Sequence, residues 1–194
     1  MYTIKEKGCS DIPVITLTDY INTNGYYPKV EFNVCYSSEG FHVHFTAYEK
    51  NPKAIATKHF GMVHLDSCLE WFVVFDPEHC DRYFNFEVNP NGAMNVSFRK
   101  DRYEKIDLTE EDLLMLGIKT EIFDNYWTAD YTVTFDFIKK YIPDYEFKSG
   151  MTLPANVYKC GDETEFPHWG CWCMVDREKP DFHKPEYFGT MVIE

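Results

Sequence analysis

Residues 69–76 and 83–89 constrain the fold of this chain more than any other stretch, because apolar and polar side chains alternate through the second run with a period of two. In an extended strand that spacing sends Phe84, Phe86 and Val88 one way and Tyr83, Asn85, Glu87 and Asn89 the other. A hairpin in the register that pairs Phe75 with Phe84 puts Leu69, Trp71, Val73 and Phe75 on the apolar side, which becomes core. Glu70 then stands beside Tyr83, Asn85, Glu87 and Asn89 on an open polar face. Such a row suits a ligand covered in hydroxyl groups, since planar carboxylates and amides take paired hydroxyl hydrogen bonds.

The same alternation recurs at Val30, Phe32, Val34 and Tyr36, at Phe41, Val43, Phe45 and Ala47, and at Ala129, Tyr131, Val133 and Phe135. Shorter strand candidates lie at 12–17, 94–98, 118–123, 155–160 and 189–193, separated by turn chemistry such as Ser38-Glu39-Gly40 and Asn89-Pro90-Asn91-Gly92. About ten strands emerge. One short helix is expected, from an N-cap at Thr109 through Glu110, Glu111 and Asp112, whose charges suit a helix start, to a stop at Gly117. This predicts an all-β fold, an antiparallel two-sheet β-sandwich of jelly-roll or immunoglobulin-like type, as one domain over 1–194. Pro154, Pro167, Pro180 and Pro185 interrupt the carboxy-terminal third, where extended loops that carry function are expected.

A chain of 194 residues that is 44% hydrophobic can bury a core without disulfide support, and it contains no apolar run of about 18 residues to span a bilayer. The formal charge of -13 argues against phosphate backbones and anionic membrane surfaces, because Arg99, Lys100 and Arg102 are too few to form a basic patch. The start of the chain lacks the apolar stretch of a secretory signal, so the cytoplasm is expected for a complete chain, and secretion if a signal has been removed. Seven cysteines cannot all pair within one chain and are expected as reduced thiols.

Four blocks resemble the family 9 carbohydrate-binding modules, and more closely the stand-alone family 9-like branch: residues 66–70 leading into 71–76, residues 83–92, residues 156–162, and residues 180–189. The resemblance implies a β-sandwich that holds a sugar between two aromatic rings above polar strand residues. Glu70 matches a ligand-binding glutamate, and Asn85, Glu87 and Asn89 match the strand of amide and charged sugar contacts. The two clamping tryptophans of the family fall at His64 and Phe182, a departure that changes the clamp. The family also implies calcium, for which no oxygen cage is visible in this sequence. Trp169 and Trp172, in loop context, are candidate stacking rings, and Arg99, just past the 94–98 strand, completes the ligand-binding set. Trp127 is read as core.

Other chemistries are weighed against this. Cys160, His168, Cys171, Cys173 and His183 carry zinc-preferred atoms at poor spacing, and Cys171-Trp172-Cys173 lacks the gap of common zinc knuckles; His42 and His44 point one way from a strand. Buried free cysteines and exposed polar rings explain these residues without metal. A glycoside hydrolase could use a Glu/Asp pair such as Glu70 and Glu87, and an interaction module could use the aromatic surface, but an open sheet face favours binding without turnover.

Overall fold

A computed structural model describes residues 1–21, 25–176 and 181–194. Along these residues run β1 (Tyr2–Glu6), β2 (Ile15–Thr16), β3 (Asp19–Ile21), β4 (Lys29–Tyr36), β5 (Gly40–Tyr48), β6 (Cys68–Val73), β7 (Tyr83–Val88), β8 (Met94–Arg99) and β9 (Lys105–Asp107). They are followed by α1 (Glu110–Leu116), β10 (Lys119–Ile122), β11 (Trp127–Thr134), α2 (Phe135–Tyr141), β12 (Thr152–Cys160), β13 (Trp169–Cys171) and β14 (Gly189–Ile193). The strands form one curled path in the order β10-β11-β5-β4-β1-β14-β12-β6-β7-β8-β9.

The curl turns at β1, which belongs to both halves. Tyr2, Thr3 and Ile4 pair parallel with Met191, Val192 and Ile193, while Lys5 and Glu6 pair parallel with Cys35 and Tyr36. The two halves therefore face each other, and their inward side chains interdigitate as in a sandwich. Phe32 lies 6.0 Å from Trp71, Phe41 stacks on Phe75 at 5.3 Å, and Phe86 sits 5.7 Å from Tyr131, ring centre to ring centre. The expected sandwich is present, but it is not purely antiparallel, because the amino-terminal strand closes it with parallel pairs.

Local signals explain both helices. Thr109 and Asp112 form a capping box on α1, and Gly117 ends it in the left-handed region at φ 58. Where Phe135 was expected to finish a strand, α2 begins instead. The Thr134 hydroxyl accepts from the Phe137 N–H at 3.1 Å, and the new helix buries Phe137 and Ile138.

The hairpin differs from expectation by two residues. Val73, Trp71 and Leu69 stand opposite Phe84, Phe86 and Val88, and Phe75 lies beyond β6 in the connection to β7, where Cys80 N donates to Asp76 O at 2.9 Å. An even slip keeps every side chain on its face. Leu69, Trp71, Val73, Phe84, Phe86 and Val88 are accordingly all buried in the main core.

The opposite face is not the open platform that was expected. Phe72, Tyr83 and Tyr158 are interleaved with its polar residues and need cover, which Ile21, Val63, Cys171, Val175 and Phe182 supply as a second apolar cluster. Irregular segments of the carboxy-terminal third thus roof the sheet, as the prolines suggested, although Pro180 lies outside the described residues.

Candidate functional site

Register builds the floor of the site. Tyr158, Glu70, Glu87 and Asn95 stand side by side across β12, β6, β7 and β8. Two residues along, the next row reads Asn156, Phe72, Asn85 and Ser97, and the row after it ends in Tyr83, Arg99 and Lys105. The roof leaves a cleft of about 280 Å³ above this lattice.

Glu70 and Glu87 line that cleft while only 3% and 5% exposed. Asn85 Nδ2 donates to Glu87 Oε1 at 2.7 Å, and Asn95 Nδ2 donates to Oε2 at 3.0 Å. Burial pushes the Glu70 carboxyl well above the carboxylate range, the neighbouring Glu87 charge pushes it further, and the Cys160 thiol acts against both. Burial raises Glu87 as well, opposed by Asn95, Arg99, His64 and Asn85. Two acids in one dry site resist double ionisation.

Planar rings form the walls. Trp169 is held by its Nε1–H donating to Asp162 Oδ1 at 2.6 Å. Phe182 lies flat on Tyr158, with centres 4.1 Å apart and planes at 9°. His183 stacks on Phe72 at 5.2 Å, and its Nδ1 is 3.0 Å from the Tyr83 hydroxyl. Burial first, then the charges of Arg99 and Arg102, lower His183 to about 3, which keeps the ring neutral. His64 enters from the 3-10 turn Val63–Leu65, which Asp162 grips by donating its N–H to His64 O at 3.2 Å.

The structure brings Glu70, Glu87, His64, Phe182, Trp169 and Arg99 together around the cleft, and places three other expected contacts elsewhere. Asn85 sits one row away from the Glu70–Glu87 row, fully buried, where its Oδ1 accepts from Ser97 Oγ at 2.7 Å and Arg99 Nε at 2.9 Å. It positions Glu87 and Arg99 rather than lining the space. Asn89 shapes a turn, accepting from Asn91 N and Ala93 N and donating to Ala56 O and Asp66 Oδ2. Trp172 packs against the main core beside Gly189. Alternation fixes a side chain's face but not whether a cleft opens above it, which is why Asn85 and Asn89 diverge, and loop context leaves open which way the Trp172 ring turns.

Asn95, Arg102, Lys105, Cys160, Asp162 and Asp181, none of them read as a ligand contact, complete the lining together with His183. The spacing Arg99, Arg102, Lys105 carried a signal, since a tight turn closed by Lys100 N donating to Glu104 O brings all three to one corner. Among the described residues no group of three or more His, Cys, Asp and Glu side chains is placed to hold a metal ion. Cys160 and His183 lie in the cleft, whereas His168 sits in a separate cavity with its Nδ1 2.7 Å from Phe166 O. His42 bonds Ser37 and Thr132, and His44 bonds Asp130 and Thr46. All seven cysteines are free thiols.

The model of carbohydrate-binding family 9 matches residues 10–193. A protein of Bacteroides uniformis, a candidate carbohydrate-binding protein, shares the fold with a TM-score of 0.82 and 25% identity, over 99% of this chain and 98% of the other. A family 9 carbohydrate-binding module from Caldicellulosiruptor kristjanssonii, solved with cellotriose, superposes with a TM-score of 0.70 at 8% identity, over 100% and 93% of the chains. The module from the same organism with glucose bound gives 0.69 at 9% identity, over 99% and 94%. No curated protein matches this chain in sequence.

Proposed function

We infer, from the premise that this chain belongs to carbohydrate-binding family 9, that it binds a saccharide non-covalently in the cleft above Glu70 and Glu87. One observation carries this reading: two carboxylates held side by side on adjacent strands form the floor between the rings of Trp169, Phe182, His183 and His64. Rings cover the C–H side of a pyranose, while fixed acids and amides below exchange hydrogen bonds with its hydroxyl groups. The Caldicellulosiruptor modules, solved with cellotriose and with glucose, support it.

The same carboxylate pair is the observation that favours an enzyme, because glutamates directly opposed on neighbouring strands are near enough for their carboxyl groups to reach the separation of about 5 Å that retaining glycosidases use. Its orientation argues for binding. Glu70 and Glu87 rise from one floor in the same direction, so both address one side of a ring, whereas hydrolysis needs an acid and a nucleophile flanking the scissile bond.

Titration calorimetry with xylo-, cello- and manno-oligosaccharides and their monosaccharides, on the native protein and on Glu70→Ala, tests the reading. Heat with at least one sugar, lost in the variant, is expected. Silence across the panel would remove the sugar claim, and release of reducing ends that stops in Glu87→Gln would move the site to the hydrolases. The free thiols further support residence in a reducing compartment.

A further inference from the structure

Charge is sorted across the cleft floor. In strand order β6, β7, β8 and β9 contribute Glu70, then Glu87, then Arg99, then Lys105, so the floor runs from acidic to basic, with Asp181 beside Arg102 on the rim of the basic end. Arg99 is the informative member. It is 7% exposed, and among the described residues its guanidinium makes two hydrogen bonds, both to neutral oxygens: Nε to Asn85 Oδ1 at 2.9 Å and Nη1 to Arg102 O at 2.9 Å. Of five N–H donors, three therefore have no protein partner among those residues. A buried guanidinium to which no carboxylate is hydrogen-bonded is costly, and a carboxylate bound by two parallel N–H groups is its best match in shape and charge.

We propose that the ligand carries a carboxylate, as a uronic acid residue does, seated against Arg99, Arg102 and Lys105 while its ring hydroxyls reach Glu87 and Glu70. The proposal rests on the saccharide reading above and names the sugar class. The spacing suits one pyranose: the Asn85 carboxamide alone separates the two seats, since its oxygen holds Arg99 Nε and its nitrogen holds Glu87 Oε1. Competing acids are spoken for. Asp162 accepts from Trp169, and Asp181 lies 3.5 Å from Arg102 and 3.8 Å from Lys184. The rim contacts of Arg102 with Asp181 and of Lys105 with Asp107 are exposed pairs of the kind that exchange readily for a ligand oxygen.

Calorimetry on the full chain compares each uronate with its neutral twin: glucuronate with glucose, galacturonate with galactose, and oligosaccharides ending in a uronic acid with the corresponding neutral ones. Glucuronamide serves as the uncharged isostere. At least one uronate is expected to bind 10-fold or more tightly than both its neutral twin and its amide. Arg99→Gln should abolish that preference, and the exposed double variant Arg102→Gln/Lys105→Gln should cut it several-fold, which keeps the test alive if Arg99→Gln fails to fold. Equal or tighter binding of the neutral twins would overturn this inference and leave the saccharide reading standing. No binding by either class would overturn both.

Discussion

Glu70 and Glu87 are direct partners across the β6–β7 pair, both nearly fully buried and both turned toward the same cleft. Core packing alone would not place two acids there. Asn85 and Asn95 tie down both oxygens of Glu87, whereas Glu70 draws help chiefly from the Cys160 thiol. Local conflict tolerated at one point of an otherwise well-packed sheet marks the place where stability yields to function.

That conflict sets the first expectation. Each glutamate has a folded pKa raised above the ordinary 4.5, so between 4.5 and the folded value the native state holds more protons than the unfolded chain. Stability is then fullest below about 4.5 and falls as pH rises through that window. Glu70→Gln cannot ionise and escapes the loss. Its melting temperature at pH 8 should exceed that of the native protein by about 3 °C, the shift that roughly 1 kcal/mol gives in a chain this size, while at pH 4 the two should coincide. Scanning fluorimetry from pH 4 to 9 checks this, and a lower melting point for the variant at pH 8 would refute the buried clash.

His183 runs the other way. Its ring titrates near 3 in the fold against 6.5 when free, and His168 near 4 has the same sign. As pH falls below 6.5 the unfolded chain takes up protons that the fold refuses, and each such histidine costs about 1.4 kcal/mol per pH unit. The glutamates oppose this over part of the range, so a difference measurement isolates the histidine. Urea denaturation between pH 7 and 4.5 should give His183→Gln a shallower acid decline than the native protein by about one proton's worth of slope. Parallel declines would mean that His183 is charged in the fold.

Asn85 and Asn89 share a strand face but do different work, and a paired experiment separates them. Asn85→Ala leaves Glu87 and Arg99 each short of one hydrogen bond beside the cleft. It should weaken sugar binding by roughly 10-fold or more, in line with about 1–3 kcal/mol for an orphaned buried group. Asn89→Ala breaks the turn that anchors residues 55–66 and should lower the melting temperature with dissociation constants unchanged within about two-fold. Calorimetry beside thermal melts checks both, and the reverse pattern would return Asn89 to the binding set.

Much of this was legible in the sequence because a strand's period of two is a strict geometric constraint. It placed Trp71, Phe84 and Phe86 inside and Glu70 and Glu87 together on the other side in every register that differs by an even number of residues, so an error of two did no harm to either face. The roof was not legible. Segments such as residues 161–168 have no periodicity, and their docking depends on Phe182 meeting Tyr158 and on Asp162 meeting His64 and Trp169, contacts between parts of the chain that no local pattern links. Helix α2 escaped for a related reason: Phe135 continues the alternation of β11, and only the cap at Thr134 and the burial of Ile138 tip the backbone into a helix. Parallel pairing of β1 likewise depends on β14, far along the chain.

Trp169 and Trp172 stand three residues apart and give the sharpest separation of ligand wall from core. The Trp169 ring lines the cleft and is aimed by Asp162, whereas Trp172 leans on the main core and its ring comes so close to Gly189 that a Cβ there would lie 3.0 Å from it. Trp169→Ala should therefore lose roughly 10-fold in sugar affinity, given about 1 kcal/mol for ring stacking, at a modest cost in melting temperature. Trp172→Ala should cost about 1–3 kcal/mol of stability through the cavity it leaves, with affinity preserved in the folded fraction. Ligand-dependent tryptophan fluorescence provides an independent readout, because the sugar-induced change should vanish in Trp169→Phe and persist in Trp172→Phe. A change that instead disappears with Trp172 would place the saccharide outside the cleft and against the 172–175 segment.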